Sequence, residues 1–229
     1  MDRDPNAPPL NPLPPIVWML ALPLIAIEVV LNLGERGLVG GPQAIGWRLQ
    51  AMERFAAFPE LLRDMVETHQ YPVDGLLRLI SYPLIHGTFT QALFAVVILL
   101  ALGKMVGEIF RWWAVLAVVF GAAIAGALAY TFLVPGVRAP LIGAYPAVYG
   151  LIGAFTFLIW VRLAGTGTNR YRAFSLIGLL LLMQLLFGVV FGGNWEWVAD
   201  LAGFTAGFLL SFVVSPGGFR RVVQMIRQR

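Results

Sequence analysis

The sequence predicts an all-α membrane protein: a bundle of six transmembrane helices, with a long first loop that is partly embedded in the bilayer. Three observations predict it. The chain of 229 residues is 59% hydrophobic and only 12% charged, whereas a soluble domain carries about a quarter charged residues. It contains six apolar runs of the length needed, about 20 residues, to cross roughly 30 Å of hydrocarbon. Between the first two runs lies a stretch in which apolar residues recur at three- and four-residue spacing among charges, the pattern of helices lying at a membrane surface.

Residues 1–15 form a Pro-rich polar segment with mixed charges at Asp2, Arg3 and Asp4. A cleavable signal needs a basic start and a shorter apolar run, so the first apolar run is expected to stay as a span. That run is Ile16 to Asn32, interrupted by Glu28, a carboxylate expected to reach the interface because the helix end is near. Residues 34–88 are the amphipathic first loop. It combines Arg36, Arg48, Arg54, Arg63 and Arg78 with Glu53, Glu60, Asp64 and Glu67, while keeping Trp47, Leu49, Met52, Phe55, Leu61, Leu62 and Met65. The second span is Phe89 to Val106, the third Trp112 to Val134 and the fourth Leu141 to Leu163. The fifth is Phe174 to Phe191 and the sixth Trp195 to Val214, so that 16–215 is one membrane domain. Residues 216–229 are a short basic tail suited to anionic lipid.

Charge placement sets an orientation. The formal charge of +4 comes from basic residues flanking apolar runs, which is the pattern of membrane anchoring and not of a nucleic-acid partner. An even number of spans puts both termini on one side, and the larger share of basic residues makes that side cytoplasmic. Basic residues are almost all arginine, with Lys104 the only lysine; this suggests GC-rich coding and a bacterial inner membrane. The absence of cysteine and the presence of only two histidines, His69 and His86, leave no cofactor or metal site to expect.

Small residues mark how the helices pack. Gly143, Ala147, Gly150, Gly153 and Ala154 keep one side of the fourth span small, and Gly203 and Gly207 do the same for the sixth. In lipid, close backbone approach is a main source of helix association.

Three separated stretches resemble the rhomboid intramembrane serine proteases, in order, over about residues 75–215. The first, Leu77 to Gly87, is similar to the family's Trp-Arg pair followed by an apolar run ending in His, with Arg78 and His86 at the matching positions. The second, Gly143 to Ala154, is similar to the run carrying Gly-x-Ser-Gly. The third, Trp197 to Phe208, is similar to the run carrying a His ahead of Gly-x-x-x-Gly.

The resemblance implies the rhomboid fold, and the family's chemistry maps onto altered residues. The nucleophilic serine falls at Tyr145, the glycine after it at Pro146, and the histidine at Asp200. The second-span His and Asn that help hold the oxyanion fall at Gln91 and Ala95. A phenol is not an alkoxide precursor near neutral pH, and a carboxylate does not replace an imidazole that takes and returns a proton. By resemblance to the derlins and inactive rhomboids, the chain is therefore expected to be a non-proteolytic protein. Its partners would be membrane lipids and the transmembrane helices of clients or partner subunits. An accessory structural subunit of a membrane complex is the alternative, and a working protease, the activity the family name carries, is the second. Arg78 and His86 are expected to anchor the first loop, and Tyr145 and Asp200 to face each other in a polar clasp between two spans.

Overall fold

The computed structural model describes residues 12–164, 169–180, 183 and 195–217. The described residues fold into helices α1 (Pro15–Glu35), α2 (Trp47–Phe55), α3 (Pro59–Thr68), α4 (Val73–Ser81), α5 (Phe89–Gly107), α6 (Trp112–Leu133) and α7 (Tyr145–Ala164). Helical residues 175–180 (α8) and helix α9 (Glu196–Val214) follow. Five of these, α1, α5, α6, α7 and α9, are long and apolar enough to cross a membrane. The expected fifth span, Phe174 to Phe191, is helical at 175–180 and 183, and the rest of it lies outside the described residues. So do residues 1–11 and most of the basic tail.

The centre of the bundle is the meeting of α6, α7 and α9, and its glycines decide how close the backbones come. A Cβ on Gly203 would overlap the Pro146 carbonyl, one on Gly207 the Gly150 carbonyl, and one on Gly153 the Phe204 carbonyl. A Cβ on Gly150 would run into the Ala122 side chain of α6. With no side chains between them, α7 and α9 gain backbone-to-backbone van der Waals contact, which lipid cannot supply. Further along, Phe157 packs edge-on against Phe208 and Phe212, with centroids 6.0 and 4.8 Å away. On the other side of the bundle α1 lies against α5, where Val17 packs on Gly103.

The fourth span begins later than the sequence suggests, and Gly143 is not part of it. Residues 141–144 run as an extended strap ahead of α7. Leu141 pairs with Ala57 in the first loop through N–H···O bonds of 2.9 and 3.1 Å. Gly143 has φ +90°, a conformation helices exclude and L side chains rarely adopt. It therefore acts as a bend at the helix entry, where helix packing had been expected of it. Pro146, the second residue of α7, has no N–H to leave unpaired there.

Arginines in the first loop tie it to the spans. Glu28 is a correction: it does not reach toward water but is buried, 5% exposed, and held by Arg48 of α2 through bonds of 2.8 and 3.0 Å. The hydrogen-bonded Glu28 carboxylate raises the Arg48 pKa against the opposing effect of burial, and Glu35, at the end of α1, adds to the rise. Arg63 of α3 donates to the carbonyls of Thr131, Val134 and Val137 at 2.7 to 3.3 Å. Those carbonyls belong to the last turn of α6 and the segment after it, where the helix leaves acceptors unpaired. Arg78 of α4 does the same for α2, donating to Glu53 O and Ala56 O at 2.9 and 3.0 Å.

Candidate functional site

Residues from three spans and the strap line a half-open cavity of about 240 Å³: Gln91, Leu141, Ile142, Tyr145, Pro146, Glu196 and Asp200. Gln91 enters from the first turn of α5, Tyr145 and Pro146 from the first turn of α7, and Glu196 and Asp200 from the start of α9. Glu196 and Asp200 are four residues apart, so both face one side of α9. Leu141 and Ile142 of the strap form an apolar wall.

The polar atoms of this cavity are individually held. The side-chain Oε1 of Gln91 accepts from Gly87 N–H at 2.9 Å, and its own backbone N–H donates to the Thr88 hydroxyl that caps α5. The Tyr145 hydroxyl donates to the backbone carbonyl of Gln91 over a long 3.4 Å. That contact ties α7 to α5, while Tyr145 and Asp200, expected from the sequence to face each other, line the same cavity. Asp200 is 4% exposed and lies close enough for its charge to act on the phenols of Tyr82, Tyr145 and Tyr149. Ala95, one turn beyond Gln91 on α5, is fully buried and does not line the cavity.

Two tyrosines that carried no sequence signal help shape the site. Tyr149 follows Tyr145 by one helical turn and is buried beside Asp200. Tyr82 has no exposed surface; its hydroxyl donates to Ala123 O of α6 at 2.8 Å, and its carbonyl accepts from Gly143 N–H at 3.1 Å. Burial, reinforced by the Asp200 charge, pushes the Tyr82 phenol well above its ordinary pKa, so it stays a neutral donor. Tyr82 thus joins the strap to the centre of α6.

His86 stands beside the cavity and not in it. It is 1% exposed, and its Nε2 accepts from Ala144 N–H at 3.2 Å, immediately before the start of α7. Its carbonyl accepts from Arg48 at 2.7 Å. Burial lowers its pKa to about 4, with the Arg48 charge lowering it further and Glu28 acting the other way. Among the described residues no three His, Asp or Glu side chains come together as a metal site.

The Rhomboid domain model matches residues 74–217, more than half of the chain, from α4 through α9. The chain belongs to the rhomboid family. No curated protein matches it in sequence. The family assignment and the apolar helices together make it a multi-pass membrane protein. The matched region holds the strap, the cavity and the three close-packed helices. Arg48, Arg63 and the whole of α1 to α3 lie ahead of it, so two of the three arginines that tie the first loop stand outside the family match and Arg78 stands within it.

Proposed function

We propose that this rhomboid-family protein binds transmembrane segments of other proteins without cleaving them. The observation that carries the reading is the lining of the cavity. Where the family resemblance places a nucleophile and a base, this chain has Tyr145 and Asp200, and the neighbouring lining residues Gln91, Pro146 and Glu196 include neither serine nor histidine. The chemistry of acyl transfer needs a nucleophile and a base within hydrogen-bond reach, plus donors aimed at the oxyanion. Here the phenol is directed to a backbone carbonyl, and the carboxylate is set among phenols.

The four serines support the same reading, and Ser175 is exposed at the start of α8. Ser81 donates to Phe55 O at 3.1 Å and Ser211 to Gly207 O at 2.7 Å. On α9, Ser211 lies about 16 Å and Ser215 about 22 Å along the axis from Asp200, at 1.5 Å per residue. A cavity that keeps polar groups within the membrane suits a client segment that is locally polar or unwound, because such a segment finds hydrogen-bond partners there that lipid denies it.

The test is photocrosslinking in native membranes, with a photoreactive residue at Gln91 and another at Leu179, which is exposed on α8. Client binding gives substoichiometric capture of several single-span proteins from Gln91, all at full length. A single stoichiometric partner captured from Leu179 would instead make the chain a subunit of a fixed complex, and captured fragments would make it a protease.

A further inference from the structure

The strap at 141–144 forms one wall of the cavity through Leu141 and Ile142, and its bonds converge on residues outside the spans. Leu141 pairs with Ala57, Gly143 N–H donates to Tyr82 O, and Ala144 N–H donates to His86 Nε2. Two glycines lie in the left-handed region, Gly136 at φ +65° ahead of the strap and Gly143 at φ +90° within it. Of its four acceptor and donor partners, only His86 can change from acceptor to donor. A backbone N–H is always a donor, so Nε2 must carry the lone pair and Nδ1 the proton of the neutral ring. That Nδ1 is buried without a hydrogen-bond partner.

We infer that His86 is a proton-sensitive latch: neutral, it fixes the strap as one wall of the cavity, and protonated, it releases the strap and widens the mouth of the cavity. Protonation places an N–H at Nε2 directly opposite the Ala144 N–H, so the bond is lost and two donors face each other. Among the described residues, the charged groups that act on the ring are Arg48 and Glu28. From α2, Arg48 presents a positive charge and grips the His86 carbonyl. From α1, Glu28 presents a carboxylate, but both of its oxygens are engaged by Arg48, as are those of Glu35. The ring therefore gains its charge most easily by leaving its buried site, and the bond it leaves behind is the one that fixes the start of α7. The low pKa of about 4 agrees with this direction. Relative to a solvated histidine near 6.5, full protonation favours the released strap by up to about 300-fold. The latch controls access to the site proposed above and so rests on that reading for its biological consequence.

The chain has no cysteine, so one introduced by Ala139→Cys takes a single spin label. Ala139 is exposed, two residues ahead of Leu141. The labelled protein in lipid nanodiscs is titrated from pH 7 to pH 3.5, with helical circular dichroism followed in parallel. The expected result is a label that becomes mobile as pH falls toward 4 while the helical signal is kept. His86→Gln offers a carbonyl acceptor that does not titrate, so its label stays immobile; His86→Phe offers none, so its label is mobile already at pH 7. Glu60, paired with Arg138 beside the label, is present in every variant, and the difference between wild type and His86→Gln isolates the histidine. A wild-type label that stays immobile throughout, one that mobilises only as the helices melt, or a His86→Gln label that titrates like wild type would overturn the latch. The label reports on the wall and not on a client, so failure of the client-binding reading leaves this result unchanged.

Discussion

At the scale of single residues, the chain's most specific demands are for the absence of a side chain. Gly207 faces the Gly150 backbone and Gly153 faces the Phe204 backbone, and backbone cannot rotate away as a side chain can. Gly207→Ala is expected to push α7 and α9 apart and destabilise the protein by ~1–3 kcal/mol, the usual range for overpacking. Gly178→Ala is the control, because a Cβ there meets nothing within 4 Å and should leave stability unchanged or raise it by up to about 1 kcal/mol through helix propensity. Thermal unfolding in detergent, read by tryptophan fluorescence, separates the two. The cavity makes a complementary prediction. The double variant Tyr145→Ser with Asp200→His puts the family's dyad residue types back, yet Pro146 and Ala95 remain where the resemblance places a glycine and an oxyanion-side asparagine. A transmembrane substrate incubated with this variant in liposomes is expected to stay uncut, since a dyad without its oxyanion donors forfeits about 10²–10³ in rate for each donor lost.

At the scale of elements, the first loop is held by three arginines that reach carbonyls and carboxylates far along the chain. Arg48 neutralises Glu28 within the bundle. Arg48→Ala leaves a buried carboxylate without its partner, an expected loss of ~3–5 kcal/mol, whereas Arg48→Met combined with Glu28→Leu removes both charges and should cost much less. Arg63→Ala strips the donors from the end of α6; it should destabilise by roughly 1–3 kcal/mol per carbonyl left dry and speed hydrogen exchange in residues 135–140, with Arg63→Lys restoring part of the loss. These ties explain what the sequence could not disclose. An arginine that caps a helix about 70 residues away leaves no periodic trace, and α2 to α4 read in sequence as generic amphipathic helices. Apolar runs, by contrast, report directly on length and lipid exposure, and α1, α5, α6, α7 and α9 were legible to within a few residues at most ends. Glu28 was misread because proximity to a helix end suggests escape to water, while its partner sits on a separate helix 20 positions later.

At the scale of the whole molecule, the bundle core and the candidate cavity differ in how much of each the sequence discloses. Gly150, Gly153, Gly203 and Gly207 mark the contact between α7 and α9 through spacing alone, and Gln91, Tyr145 and Asp200, singled out by the resemblance, do meet around one cavity. The strap that walls it does not show, because Leu141 to Ala144 is as apolar as the helix that follows; only the Gly143 φ and the pairing with Ala57 set it apart. The strap also gives the molecule an acid limit. The folded chain binds the His86 proton only near pH 4, while a solvated histidine binds it near 6.5. Above pH 6.5 both states are neutral and the full contribution of the closed form is present. Between 6.5 and 4 the open or unfolded chain takes up a proton that the closed form refuses, so closure weakens as pH falls, by about 3 kcal/mol in all. Wild type is therefore expected to lose more thermal stability between pH 7 and pH 4 than His86→Gln. Other carboxylates titrate in both chains and cancel in the comparison. If wild type and His86→Gln lose stability in parallel, the His86–Ala144 bond contributes nothing to closure, and the Ala57 and Tyr82 bonds alone hold the wall.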